Sequence, residues 1–594
     1  LISESDSDPQ EEVNGNSAGS SAANSISVAV AVGNISNTAT ATVESGAQLD
    51  ALRANRVIAG ISYPFLTRPD AFTPTTLGEL IDSLQTEGVG AVDKYLDGYL
   101  GIRSGLFNSW ARSTATADKV GIAGSVNVLS LTNTSKAIVA GGALINQDAD
   151  WHNNALNAHA NQAAQRADGR GEEVVSVEAT TYMQTVDMTG IFGFNLPSGT
   201  LDPFSPDYDR DLSLQPVGAA GKKGGFGGAL FISVLNNTTH ATIADGARIY
   251  SGSDGGLNMK AEEAIFNFAF NQAGGGGGKY GIGGTVSYVE QHSDTLVQLG
   301  SSAFVSGRNA RLYAGSLETL INWNGGISKG EGSGLGASVA ITDIERKTRA
   351  VIGAIDPGAS GGSGARSEHQ IDVAEGVELL AKTDGALWTF AIAGAVVSDE
   401  PMKQTAEDPL DGESAPGTAG TTVQEAPAKT GVGIAAAVSI NTITDITQAS
   451  IDDAGTILAR TLTLQSSNDT DLIAATGGLA FAKPDQSNNA AALAGAFSKN
   501  IVSATTRAFV QGTAATLSGS TGTVFSVAAT RDSEIVAIAA GAGGSLATGQ
   551  SSSGGSGNTA FSLAGSVSNN RIGGATEAFL SGSAIGLSGG DATL

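Results

Sequence analysis

From Ser25 to Val32 the chain alternates strictly. Ile26, Val28, Val30 and Val32 fall on one side of an extended strand, and Ser25, Ser27, Ala29 and Ala31 on the other. The same period of two runs through GIAGSVNV at 121–128, GIGGTVSY at 281–288, GLGASVAI at 334–341 and GVGIAAAVSI at 431–440. Gly and Asn/Asp turn signals close these runs, which predicts β-structure.

Such runs lead into a repeated segment. NTATATVESGAQL at 37–49, NTSKAIVAGGALI at 133–145 and NTTHATIADGARI at 237–249 register without a gap. Weaker copies centre on Val297, Ala350, Ala449, Ala508 and Ala578. With Ala41, Ala137 and Ala241 these make eight anchors, spaced 96, 104, 56, 53, 99, 59 and 70 residues apart. The short spacings give a unit of about 55 residues, and the long ones are that unit plus insertions. A unit that cannot bury its own apolar face needs neighbours, so the sequence predicts a mainly β, parallel β-helix-like solenoid. Two or three coils of about 20 residues per unit fit that expectation. An array of β-sandwiches is the alternative, because antiparallel strands show the same alternation. The anchors are expected to point inward. Ala, Ser, Thr and Gly are expected to dominate the outward positions, either as a plain solenoid surface or as a surface for packing against another chain.

The pattern divides the chain. Residues 1–52 hold the first repeat behind an acidic N-terminal segment, which reads as a linker or an entering loop. Residues 53–112 break the alternation: Leu77, Leu80, Ile81 and Leu84 have helical spacing, as do Val92, Tyr95, Leu96 and Tyr99. Thr75 or Thr76 suits a helix cap, so a helical insertion is expected there. Residues 113–146 return to the repeat. Residues 147–220 combine a polar insertion, a strand-like EVVSVEATTYMQTVDM and a loop. Repeats fill 221–398 and 430–594, separated by a flexible Pro-, Gly- and acid-rich loop at 399–429. The chain opens at Leu1 without a signal peptide and closes in GGDATL without a polar cap, so a segment of a longer protein is expected.

Charge and composition narrow the function. Lys and Arg number 32 against 58 Asp and Glu, a net charge of −26, which disfavours nucleic acid and anionic membranes as partners. Cys is 0, which removes disulfides, thiolate metal sites and cysteine nucleophiles. Glycine, at 81 of 594, is about twice its usual share but lacks the three-residue period of collagen. No apolar run long enough to span a membrane as a helix is seen, so no membrane insertion of this segment is expected.

The chain offers little legible chemistry. His152 and His159 lie seven residues apart in a polar stretch, where a helical metal pair would stand four apart. His240 and His292 read as outward polar residues on or beside repeat strands, and His369 has no legible partner. Asp207, Asp209 and Asp211 alternate as calcium ligands do, but the Gly and terminal Glu of a calcium loop are missing. The glycine runs Gly224–Gly228 and Gly274–Gly278 lack the Lys-Ser/Thr of a phosphate loop and read as turns or close-packed strands. No catalytic, cofactor-binding or metal residue is therefore assigned, no cofactor is expected, and the chain is not expected to be an enzyme.

GIAGSVNVLSLTNTSKAIVAGGALI at 121–145 and GALFISVLNNTTHATIADGARI at 228–249 resemble the Gly/Ala/Val-rich repeats of giant bacterial cell-surface exoproteins, the filamentous-haemagglutinin-like and leukotoxin-like adhesins. The likeness covers about two thirds of the chain and carries no catalytic motif. It implies a secreted, cysteine-poor β-solenoid, extracellular or on the cell surface, used for attachment to cells or surfaces. The implied partners are further copies, as a homo-oligomer or filament, and a cell-surface or glycan target. A secreted carbohydrate-active β-helix enzyme is the alternative.

Overall fold

The computed structural model describes residues 2–6, 11–18, 24–51, 54–62, 109–117, 119–148, 173–190, 218–252, 255–355, 370–398, 430–483, 489–547 and 559–594. Among them 86% are strand and none is helix, so short turns make most of the corners. Every strand pair is parallel, which excludes the sandwich array. The strands form three sheets, of 8, 8 and 12 strands.

One coil visits the sheets in turn. A strand of about 20 residues lies in sheet 1, a strand of 2–4 residues in sheet 2, and a strand of about 22 residues in sheet 3. The fourth coil shows the order plainly: Tyr280–Leu299, Phe304–Gly307, then Ala310–Gly330. Eight sheet 1 strands define eight coils, beginning at Asn24, Val120, Gly224, Tyr280, Ser333, Gly431, Asn489 and Thr559. The repeat is thus one wide coil, not two or three narrow ones. At about 4.8 Å per strand the stack rises only about 40 Å, while each long strand runs about 65 Å across.

The eight anchors stack in a single column. Ala41 pairs with Ala137, Ala137 with Ala241, and the series continues through Val297, Ala350, Ala449 and Ala508 to Ala578. All but the last are fully buried. Each unit reaches the next coil in register whatever its length, because the extra residues fall between described strands, at corners or between the two halves of a sheet 3 row.

Two insertions interrupt sheet 3 itself. Ser62 pairs with Tyr182 and Ser109 with Asp187, so Asn55–Ser62 and Ser109–Ala117 occupy one row, four residues apart. Gly190 pairs with Gln272 and Gly218 with Gly274, one residue apart in the next row. The insertion expected at 53–112 is narrower at both ends than its sequence pattern suggests. The helices expected at 77–84 and 92–99 lie outside the described residues, as does the loop expected at 399–429. The acidic N-terminal segment is not a linker: Ile2–Asp6 and Glu11–Ala18 pair with the two halves of the next sheet 3 row.

In cross-section the coil tapers. At the wide end, beside sheet 2, large apolar side chains from three directions meet. Val139, Ile243 and Leu299 come from sheet 1, Ile145 and Ile249 from sheet 2, and Met259, Leu312 and Leu379 from sheet 3. Gly46, Gly142 and Gly246 turn the corner with φ of 74°, 76° and 80°, a region open mainly to glycine. At the narrow end, where sheet 3 turns back into sheet 1, the two backbones touch. A Cβ on Gly225 would lie 2.0 Å from the Gly276 carbonyl oxygen, and one on Gly283 2.0 Å from that of Ile327.

That contact reverses the expected orientation of the alternating runs. No large side chain fits inside the narrow end, so Ser27, Ala29 and Ala31 point inward and are buried. Ile26, Val28, Val30 and Val32 point out and are 49–65% exposed. The small residues face the interior, contrary to the sequence expectation, because the glycine columns of the later coils set the distance between the sheets. The glycine runs at 224–228 and 274–278 are these close-packed strands.

Candidate functional site

The outer face of sheet 3 carries a shallow cavity of about 380 Å³ lined by Ser62, Tyr182, Glu262, Tyr313, Lys382 and Asp384 among others. Strand register assembles it. Glu262, Gly315 and Lys382 form one column, and Tyr182, Ala264, Leu317 and Asp384 the next. Gly315 leaves room for the Tyr313 ring: a Cβ there would meet the phenol oxygen at 2.5 Å. The Tyr182 hydroxyl donates to Glu262, which also pairs with Lys260 at 2.5 Å. Burial first, and then the Glu262 charge, push the Tyr182 phenol far above its usual range. Lys382 donates to Asp384 at 3.0 Å.

Like charges stack beside this cavity. Asp384, Asp469 and Asp532 share one column, and Asp471 and Glu534 the next. Partial burial and then mutual repulsion raise the Asp469 and Asp471 carboxyls above the ordinary range. Two aromatic side chains and a carboxylate–lysine set around an open floor suit a ligand with a flat apolar side and several hydroxyls.

Behind the cavity, inside the coil, lies an ionic network. Arg346 donates through Nε and Nη2 to both oxygens of Asp445 at 2.8 Å, and through Nη2 to Thr470 at 2.9 Å. Glu318 approaches Arg346 at 3.6 Å. Glu263 accepts from Ser293 at 2.6 Å and Thr295 at 3.4 Å. Burial pushes Glu263 up to about 7 against the lowering effect of its hydroxyl donors. Burial also pushes Glu318 up to about 7, and the charges of Glu263 and Asp445 add to this while Arg346 opposes it. The network holds the two long sheets together and is closed to solvent. Sequence reasoning missed it. The signal was there: Arg346 and Asp445 fall in the inward column of Asn37, Asn133 and Asn237, where a charge has to find a partner.

The sheet 1 histidines lie outward, as expected. His240 meets Asp294 at 3.1 Å, and Arg349 donates to the same carboxylate at 2.6 Å. Burial opposes the ionised form of Asp294, but the His240 hydrogen bond and the Arg349 charge hold its carboxyl down at about 2. His292 lies between Glu290 at 2.8 Å and Glu345 at 3.3 Å. His152, His159, His369 and the Asp207–Asp211 stretch lie outside the described residues.

The outer face of sheet 1 divides along its strands. The second half is polar, with Thr38, Thr134 and Thr238 in one column. The first half is apolar. Ile26, Ile122, Phe226, Ile282, Leu335 and Ile434 stack in one column. Val30, Val126, Leu230, Val286, Val339 and Val438 stack four residues further on. No family model matches this chain, and neither the curated proteins nor the solved structures contain a significant match to it.

Proposed function

We propose that this chain is a structural and adhesive segment of a large extracellular bacterial surface protein, assembling with further copies and attaching to cells or surfaces. The observation that carries the reading is the in-register stack of eight wide coils, which repeats each outward column along the axis. A repeated column offers one contact many times, so weak contacts add by multivalency. The resemblance of the 121–145 and 228–249 runs to surface adhesins supports the same reading. The sheet 3 cavity, with Tyr182, Tyr313 and hydroxyl-binding carboxylates, favours a glycan as the attached target. The test is adhesion of the purified chain, coupled to beads, to cells and to a panel of immobilised polysaccharides. Glu262→Gln with Tyr313→Ala is expected to reduce glycan retention at least tenfold. Beads that adhere no better than uncoated ones would falsify the adhesive reading.

The cavity also favours a second reading, a secreted carbohydrate-active enzyme. It predicts release of reducing ends or unsaturated products from the retained polysaccharide. A glycan held for hours with its chain length unchanged counts against it.

A further inference from the structure

We infer that the apolar half of the sheet 1 outer face is the contact between two copies of this chain, packed face to face with their coils stacked in the same direction. This rests on the assembly part of the reading above and names the surface that carries it.

The face has the relief a self-complementary contact needs. One ridge runs along the Ile26 column, and a second along the Val30 column. Between them lies a groove from the second coil to the seventh, with Gly124, Gly228, Gly284, Ala337, Ala436 and Gly495 on its floor; Val28 closes it in the first coil. A Cβ at Gly228, Gly284 or Gly495 would meet nothing within 4 Å, so the groove is open. The ridges are open too: Ile26 is 65% and Val286 40% exposed, although Val286 has a strand on either side. By contrast, Phe270, Ile327 and Val396, which point outward from sheet 3 at the same narrow end, are 6–7% exposed. Of the two apolar outer faces, the one on sheet 1 is left open.

Area and charge identify the occupant. Seven residues of strand across eight coils cover about 900 Å², above the patches a monomer usually exposes and close to the roughly 800 Å² per partner of a stable interface. A net charge of −26 makes two copies repel, so they meet only on a neutral surface. The four columns from Ile26 to Val32 are such a surface. Their one charged residue is Lys499, in the seventh coil.

The relief also sets the symmetry. A two-fold axis along the coil stack, between the Gly284 and Val286 columns, lays each copy's Val286 ridge in the other's Gly284 groove. An axis along the strands puts ridge on ridge and leaves both grooves empty. The first arrangement keeps coil against equivalent coil and makes the dimer parallel.

Sedimentation of the whole chain tests this. A dimer is expected, strengthened by added salt as self-repulsion is screened. Val126→Lys with Val286→Lys is expected to weaken self-association at least tenfold while circular dichroism stays unchanged, since both side chains point to solvent. Gly284→Trp fills the groove and is expected to do the same. Thr238→Trp, on the polar half of the same face, is expected to leave the dimer intact. A monomeric wild type overturns the inference, as does a dimer indifferent to the lysine pair and to Gly284→Trp. Flotation of the monomer with phosphatidylcholine vesicles, lost in the lysine variant, assigns the face to lipid and overturns it as well. Bead adhesion separates the two readings: a monomeric wild type that still adheres removes only the dimer, and a dimer that does not adhere removes only the adhesion.

Discussion

A Cβ atom at Gly227 would stand 2.0 Å from the carbonyl oxygen of Gly274, so sheets 1 and 3 meet there backbone to backbone. Gly228, the next residue, has open space where its own Cβ would be. Gly227→Ala is therefore expected to force the sheets apart, costing about 3 kcal/mol or more, because neither backbone yields as a side chain does. Gly228→Ala is expected to be neutral or slightly stabilising, since it restricts the unfolded chain. Chemical denaturation of the two variants checks this. Equal effects at both positions contradict the packed narrow end.

Arg346 faces three carboxylates, Asp445, Glu318 and Glu263, in a closed interior. Replacing it with methionine leaves buried acids without their cation, a loss of about 3–5 kcal/mol. The loss should shrink as pH falls and the glutamates take up protons. Melting curves of Arg346→Met at pH 5 and pH 8 measure it. A deficit independent of pH is the contrary result.

Asp187 is buried, and neither carboxyl oxygen has a hydrogen-bond partner among the described residues. Burial alone pushes it up to about 8. The folded state thus holds a proton that the unfolded chain releases near pH 4. This contribution to stability is whole below the unfolded pKa and is lost as pH rises toward 8, by up to about 1.4 kcal/mol per pH unit. Asp187→Asn imitates the protonated acid. It should flatten the decline of stability between pH 4 and pH 8 and exceed the wild type above that window. An unchanged slope means that the side chain is ionised in the fold.

Ala137 lies in the fully buried anchor column between Ala41 and Ala241. Ala137→Asp buries a charge without a partner and is expected to cost several kcal/mol. Ala137→Ser, with a small hydroxyl, should cost far less. Similar melting temperatures for the Asp variant and the wild type contradict the assignment.

The rows flanking residues 191–217 predict a clean excision. Replacing that segment with one alanine should join Gly190 to Gly218 through a residue opposite Ala273 and keep the circular dichroism of the repeats. Global loss of β-signal means the segment is needed for the stack.

The anchor column was legible because a repeat places one residue type at one position, whatever lies between copies. Coil size was not. Alternation tells which residues share a face but not where the chain turns back, and in four coils the narrow-end corner takes only two residues, such as Lys222 and Lys223. The choice of inner face was misread for a related reason. Hydrophobicity alone sends Ile26 and Val28 inside, and only the opposed glycines, Gly225 against Gly276, show that there is no room. The cavity at Tyr182 and Glu262 depends on side chains from successive coils and has no signature in any one of them. Arg346 sits in a run, DIERKTRA, whose other charges lie on the outer face. Its inward position follows only from the aligned columns.

Because one coil takes at least 53 residues, neighbouring strands of a sheet pair positions at least that far apart in the chain. Few contacts in this fold are local, which places it among topologies that search longest for their first productive encounter. The wide end, where Ile243, Ile249 and Met259 converge within a single coil, is the natural place for that encounter. The bare glycine strands have little to hold them until a neighbour is docked, so closure of the narrow end is expected to come last. Refolding should then show early gain of β-signal and a slow, late fluorescence phase as the thin edge, with Trp323 stacked on Phe270, zips shut.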